Sequence, residues 1–156
     1  MAFLNFPETL YVKTIDTSEE IKLGSIKVTN SLELANIRVF LYIKGTLGGT
    51  EQIKVHLSSD ASCTKKIISS DWSSLSGLPV GGDFLGWVRT DFNREGLNQN
   101  ITYYCSLELN NYTRNADTFY LSGVFDFPAP VYLPTGNNVL LDHNIGMQIF
   151  GYSEIE

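Results

Sequence analysis

The spacing closest to a metal site lies at residues 91–96, DFNREG. Oxygen-bearing side chains at the first, third and fifth positions, with glycine at the sixth, match the first half of a calcium loop. The twelfth position holds Thr102 where such a loop needs a bidentate glutamate, and no helix is predicted on either side. We therefore expect a polar turn after the strand that reaches Phe92, with an ion at Asp91–Glu95 as the alternative. No metal or other cofactor is predicted.

Two histidines, His56 and His143, are the only candidates for a histidine base in nucleophilic catalysis. His56 has an outward position in a strand pattern and is expected at the surface or rim. His143 lies in the polar run 142–144, which is typical of a loop. Neither accompanies a G-x-S-x-G or H-E-x-x-H motif, so the sequence predicts no enzyme.

Paired carboxylates could hydrolyse a glycoside if two of them faced each other across a cleft. The candidates are Asp91, Glu95, Glu108, Asp117 and Asp126. Sequence spacing does not place any two at the required separation. Glu108 and Asp126 occupy polar strand faces, where a solvated carboxylate is typical. A glycoside-processing enzyme is therefore the least supported of the functions considered for this chain.

The two cysteines, Cys63 and Cys105, are too few for a disulfide scaffold or a zinc site. Cys105 falls on the apolar side of a strand pattern, which predicts a buried free thiol. Cys63 falls in a polar turn. We expect both to be unpaired, with a disulfide between them as the alternative.

The elements that must position these groups are strands, because period-two alternation recurs along the chain and no apolar stripe of helical period is present. One strand has Ile37, Val39, Leu41 and Ile43 on its apolar face, and the next, at 53–57, is predicted to form a hairpin with it. Two long aromatic strands, 101–109 and 119–127, are expected to be antiparallel neighbours at the centre of the core. About ten strands predict an all-β, two-sheet antiparallel β-sandwich, jelly-roll-like, with 8–10 strands in a single domain spanning 1–156.

Composition excludes several partner classes. The chain of 156 residues carries a net charge of −6, and its lysines and arginines are scattered, so neither nucleic acid nor an acidic membrane surface is an expected partner. The N-terminal residues lack a signal-peptide pattern and an apolar span. The sequence as written is therefore not expected to be addressed for secretion.

Aromatic residues make up 12% of the chain, including Trp72 and Trp87. Outward strand positions hold Phe40, Tyr42, Tyr104 and Tyr120, which are predicted to line one sheet face. A face of this kind is expected to be covered by another chain or by loops. The alternative is a platform on which sugar rings stack, as in lectins.

A resemblance to known proteins is carried by residues 58–64, 70–72, 86–93, 102–104 through 111–114, and 117–120. On these segments, which cover about the middle half of the chain, the sequence resembles the small β-sandwich proteins of tailed-phage virions. It implies a structural role, as a capsid decoration or cement protein or as a fibre module. It transfers no functional residue, because a cement protein has no active site.

We accordingly expect a non-enzymatic virion protein, made in the host cytoplasm, that binds the major capsid protein or another virion protein and forms a homo-oligomer on the virion. The predicted contacts are the outward aromatic set and the apolar segment 1–14, through Phe3, Leu4, Phe6, Leu10 and Tyr11. For segment 1–14 the alternative is a first strand within the chain's own sandwich. For the whole chain the alternative is a carbohydrate- or receptor-binding module of a head or tail fibre.

Overall fold

The computed structural model describes residues 11–15, 19–45, 49–75, 84–113, 119–124, 139–143 and 147–153. These residues form eleven strands: β1 (Tyr11–Ile15), β2 (Glu20–Val28), β3 (Leu32–Gly45), β4 (Gln52–Ser58), β5 (Lys66–Ser69), β6 (Ser73–Ser74), β7 (Phe84–Leu97), β8 (Thr102–Asn110), β9 (Phe119–Val124), β10 (Val139–His143) and β11 (Met147–Ser153). Four residues of the predicted docking segment, Phe3, Leu4, Phe6 and Leu10, lie outside the described residues. The segment is described from Tyr11 on, where it forms β1 and pairs with β9.

The strands form two antiparallel sheets, which confirms the predicted all-β sandwich class. In the five-stranded sheet, the long strand β3 is central. β7 pairs along one edge of β3, while β11 and β9 share the other edge, and β1 follows β9. The six-stranded sheet has the order β10-β2-β8-β4-β5, with the short β6 also on β4. The jelly-roll connectivity stays a prediction.

Alternation of apolar side chains places the core between the sheets. Ile37, Val39, Leu41 and Ile43 of β3 are all buried, as are Ile53, Val55 and Leu57 of β4. They join a single cluster with the inward residues of β8. The predicted inward faces of these three strands are therefore confirmed, except that Ile101 precedes β8 and is 49% exposed.

A β-bulge keeps the apolar residues of β2 on the inner face. Lys22 is opposite Ser106 and Gly24 is opposite Cys105, so Leu23 is an extra residue in this strand. Gly24 has a φ of 145°, which L-residues rarely adopt. The bulge shifts the alternation by one residue, so that Leu23 and Ile26 are both buried although they are three positions apart.

Two predicted strand pairings are wrong. β3 and β4 belong to different sheets, so the predicted hairpin is a crossing between sheets. The long strands β8 and β9 are also in different sheets, where β8 pairs with β2 and β4, and β9 pairs with β1 and β3. Alternation specifies which side chains face the core, and in a sandwich that requirement is the same in both sheets. It does not identify the hydrogen-bonded neighbour.

Candidate functional site

The structure separates the predicted aromatic set between two opposite surfaces. Phe40 and Tyr42 are half-buried on the outer face of β3, and Tyr120 is opposite Lys44 in the neighbouring β9. Tyr104 lies on β8 in the other sheet. The prediction that these residues line one face is therefore wrong, because it assumed that β8 and β9 are neighbours.

The five-stranded sheet has an outer surface of aromatic and arginine side chains that sequence reasoning did not assemble. Phe40 and Trp87 are directly opposite each other in β3 and β7, with ring centroids 4.7 Å apart. Arg38 is the next outward residue of β3, and its guanidinium lies 4.5 Å from the centre of the Phe150 ring. We call this surface the arginine–aromatic face; its members are Arg38, Phe40, Trp87, Arg89, Arg94, Phe150 and Tyr152.

The far end of this face repeats the same arrangement. The Arg94 guanidinium lies 4.5 Å from the centre of the Tyr152 ring, and its Nε donates to Glu33 at 2.9 Å. Tyr152 is 49% exposed. The alternation of Phe150 and Tyr152 is visible in the sequence, but their position beside Arg38 and Arg94 depends on the pairing of β11 with β3, which is not.

Among the described residues of this face, Arg89 and Arg94 each have a carboxylate partner, whereas Arg38 has none. Its cross-strand partner is Arg89, which pairs with Asp91. Among the described residues, no side chain accepts a hydrogen bond from the Nε of Arg38, although that atom is buried. Like charges that face each other across strands are destabilising. The middle of the face is therefore suited to an incoming anionic group.

The predicted calcium string has a different structure from the expected turn. Residues 91–95 form a bulge inside β7, where Asp91 is opposite Asn36 and Glu95 is opposite Leu34. Arg94 at the bulge has a φ of 52°. Asp91 binds Arg89, and the described residues contain no group of three or more acidic, histidine or cysteine side chains that could hold a metal ion. The bulge lets Phe92 reach the core, where it is 6% exposed.

His56 faces outward on β4 but is buried, with 6% of its surface exposed, so the prediction of a surface or rim residue is wrong. Its Nδ1 lies 2.6 Å from Ser69 Oγ on β5, and its Nε2 lies 2.7 Å from Glu108 Oε1 on β8. Ser69 is exposed and the Glu108 side chain is 41% exposed. Glu108, for which a solvated carboxylate was expected, is partly exposed and in addition contacts His56. The other histidine, His143, ends β10 opposite Gly24 instead of lying in a loop.

A cleft of about 410 Å³ with mostly polar lining residues reaches Ser106, the Cα partner of His56 in β8. Glu20, Lys66, Ser106 and Cys63 contribute to its lining. Burial raises the pKa of Glu20, but hydrogen bonds from Ser106 and Lys66 outweigh it and hold that pKa below the ordinary 4.5. Glu20 is therefore the negatively charged partner of Lys66 within this cleft.

Both cysteines are free, which confirms the expectation of unpaired thiols. Cys105 is fully buried on the inner face of β8. Cys63 has a φ of 60° in the turn that follows β4 and is 6% exposed. Burial raises the pKa of both thiols, and that of Cys105 reaches about 12. Burial and a raised pKa both disfavour the reactive thiolate form in the folded protein.

The two tryptophans lie on different sheets. Trp87 is half-buried in the arginine–aromatic face. Trp72 follows β5 and is 36% exposed, and the Lys54 ammonium lies 4.6 Å from the centre of its ring. An exposed ring with a neighbouring cation is a feature that a sugar or an aromatic ligand could use.

Together these features define a two-sheet antiparallel β-sandwich whose most developed surface is the arginine–aromatic face. No protein-family model matches this sequence, and no curated protein is significantly similar to it. In the described part of the chain, no helix has the length and hydropathy of a membrane-spanning segment.

Proposed function

We propose that this protein is a structural component of a tailed-phage virion, which decorates or cements the capsid by docking the arginine–aromatic face on the major capsid protein or another virion protein. The virion setting rests on the resemblance of the middle half of the chain to β-sandwich virion proteins. The docking role rests on one observation, the concentration of tryptophan, tyrosine and arginine on the outer face of the central strand β3 and its neighbours.

Those three residue types dominate the binding energy of protein interfaces. Trp87 and Tyr152 supply large apolar surfaces with few rotatable bonds. Arg89 is the next outward residue after Trp87 in β7, and the Arg94 guanidinium lies over the Tyr152 ring. A side chain packed against such a ring loses little conformational entropy on binding. The arginine side chains of this face are therefore already partly ordered before a partner binds, unlike side chains that extend freely into water.

Charge indicates what the partner presents. Arg38 has no carboxylate of its own among the described residues and faces Arg89 across the strands. An aspartate or glutamate of the partner would relieve this repulsion and gain a charge-assisted hydrogen bond. The proposed partner surface is thus an acidic side chain surrounded by apolar residues.

Co-sedimentation of the purified chain with empty capsids of the encoding phage tests the proposal. Trp87→Ala should weaken binding about 30-fold, since hot-spot residues contribute about 2 kcal/mol or more. Arg38→Gln should weaken it about tenfold. Tyr104→Ala, on the opposite sheet, is the matched control and should bind as the wild type does. A wild-type chain that never associates with capsids would overturn the proposal.

The second candidate is a carbohydrate- or receptor-binding module of a head or tail fibre, and the exposed Trp72 with its Lys54 neighbour supports it. A glycan array with the wild type and Trp72→Ala separates the candidates. Binding that Trp72→Ala abolishes and Trp87→Ala retains would favour the sugar-binding role, whereas an array without signal would remove this candidate.

A further inference from the structure

Ser69, His56 and Glu108 form a continuous hydrogen-bonded chain across three strands of the six-stranded sheet. The distances are 2.6 Å from Ser69 Oγ to His56 Nδ1 and 2.7 Å from His56 Nε2 to Glu108 Oε1. Register fixes the first contact, because Ser69 and His56 are Cα partners in β5 and β4. A hydroxyl within hydrogen-bond reach of an imidazole that a third group orients is the signature of an activated nucleophile.

The hydrogen-bond polarity has the direction that such a site needs. A carboxylate only accepts, so the Nε2 of His56 carries the proton that Glu108 binds. In the neutral ring Nδ1 then has a free lone pair and accepts from the Ser69 hydroxyl. The exposure of the three groups also fits, since Ser69 is exposed while the His56 ring is buried behind it.

From this geometry we propose that Ser69 is an acylatable nucleophile, with His56 as its general base and Glu108 as the positioning residue for His56. Ser69 Oγ adds to an ester carbonyl carbon while its proton passes to His56 Nδ1. The carbon–alkoxide bond then breaks, the leaving alkoxide takes that proton and departs as an alcohol, and Ser69 keeps the acyl group. Water, activated by the same nitrogen, releases the acid and regenerates the hydroxyl.

The surroundings define the substrate class. Lys54 is the Cα partner of Glu108, and its ammonium lies over Trp72, so an exposed aromatic ring borders the chain of three residues. Ser69 lies outside the lining of the polar cleft and is exposed on β5, so an ester can approach it from solvent. The proposed substrates are small carboxylic esters with an aromatic or apolar group that can pack on Trp72. This activity goes beyond the proposed docking role and is on the opposite sheet from it.

A fluorophosphonate probe tests the nucleophile directly, because it forms a stable bond only with an activated serine. The full chain is treated with the probe, and mass spectrometry of its peptides locates the adduct. We expect labelling at Ser69, its loss in Ser69→Ala, and a wild-type rate in the matched control Ser62→Ala, which changes another exposed serine. Hydrolysis of p-nitrophenyl acetate should fall at least about tenfold in Ser69→Ala, since base catalysis of this kind contributes about 10²–10⁴.

Glu108 is tested by Glu108→Gln, whose amide can favour the wrong imidazole tautomer and should slow labelling at least about tenfold. Glu108→Asp, which keeps the carboxylate, should restore part of the rate. Thermal unfolding of each variant confirms that it is folded. The proposal is overturned if the wild type is not labelled, if Ser69→Ala is labelled equally fast, or if Glu108→Gln reacts like the wild type.

Discussion

Cys105 provides a quantitative test of the core, because it lies on β8 at the centre of the six-stranded sheet. Its side chain is fully buried, and burial, with a smaller contribution from Cys63, raises its pKa from 9.0 to about 12. At pH 8 the thiolate fraction then falls about a thousandfold, from about one in ten to about one in ten thousand. Burial also excludes the reagent, so modification requires the sheet to open.

The assay is alkylation by iodoacetamide at about pH 8, followed by peptide mass spectrometry, in a Cys63→Ser variant that leaves Cys105 as the single thiol. We expect Cys105 to react at least about a thousandfold more slowly in the native protein than in urea. In the wild type, Cys63 should react faster than Cys105, because it lies in a turn that can open locally. Native Cys105 labelling within about tenfold of the unfolded rate would refute the placement of β8 in the core.

Two further predictions concern stability. Leu107→Ala removes a fully buried side chain and should lower the free energy of unfolding by about 2–5 kcal/mol in urea titrations. Ile101→Ala, which changes a side chain that is 49% exposed, should lower it by less than about 1 kcal/mol. Equal losses in the two variants would contradict the packing of β8. Hydrogen bonds from the Thr64 side chain and the Lys65 backbone lower the pKa of Asp60 from 3.8 to about 2. A carboxyl shifted in this direction stabilises the fold above its unfolded pKa, and that contribution is lost as the pH falls from about 4 to about 2. The Asp60→Asn variant should therefore show a smaller decrease in its urea midpoint across this range. An unchanged pH dependence would count against the hydrogen bonds from Thr64 and Lys65 to Asp60.

The inward faces could be predicted from the sequence because burial imposes a period of two on every strand. Ile37 to Ile43 in β3 and Ile53 to Leu57 in β4 follow that period and are buried. The bulge at Leu23 was beyond such reasoning, since it interrupts the period and depends on a φ of 145° at Gly24. Strand partners were beyond it too, because both sheets impose the same alternation.

The functional surfaces depend on these pairings, which explains why sequence reasoning found only parts of them. Phe40 was identified as an outward aromatic residue, but Trp87 becomes its neighbour only through the register of β3 with β7. The sequence predicts a strand around His56 and shows no catalytic motif beside it. Its contacts with Ser69 and Glu108 connect positions 13 and 52 residues away, so no local motif could reveal them.

The most direct test of the central claim, docking through the arginine–aromatic face, is hydroxyl-radical footprinting of the chain with and without empty capsids of the encoding phage. Tyr152 and Trp72 have comparable starting exposure, 49% and 36%, and lie on opposite sheets. If the chain docks through this face, capsids should protect Tyr152 and Trp87 from oxidation and leave Trp72 unchanged. Protection of Trp72 with unchanged oxidation of Tyr152 and Trp87 would show that the chain docks through the other sheet.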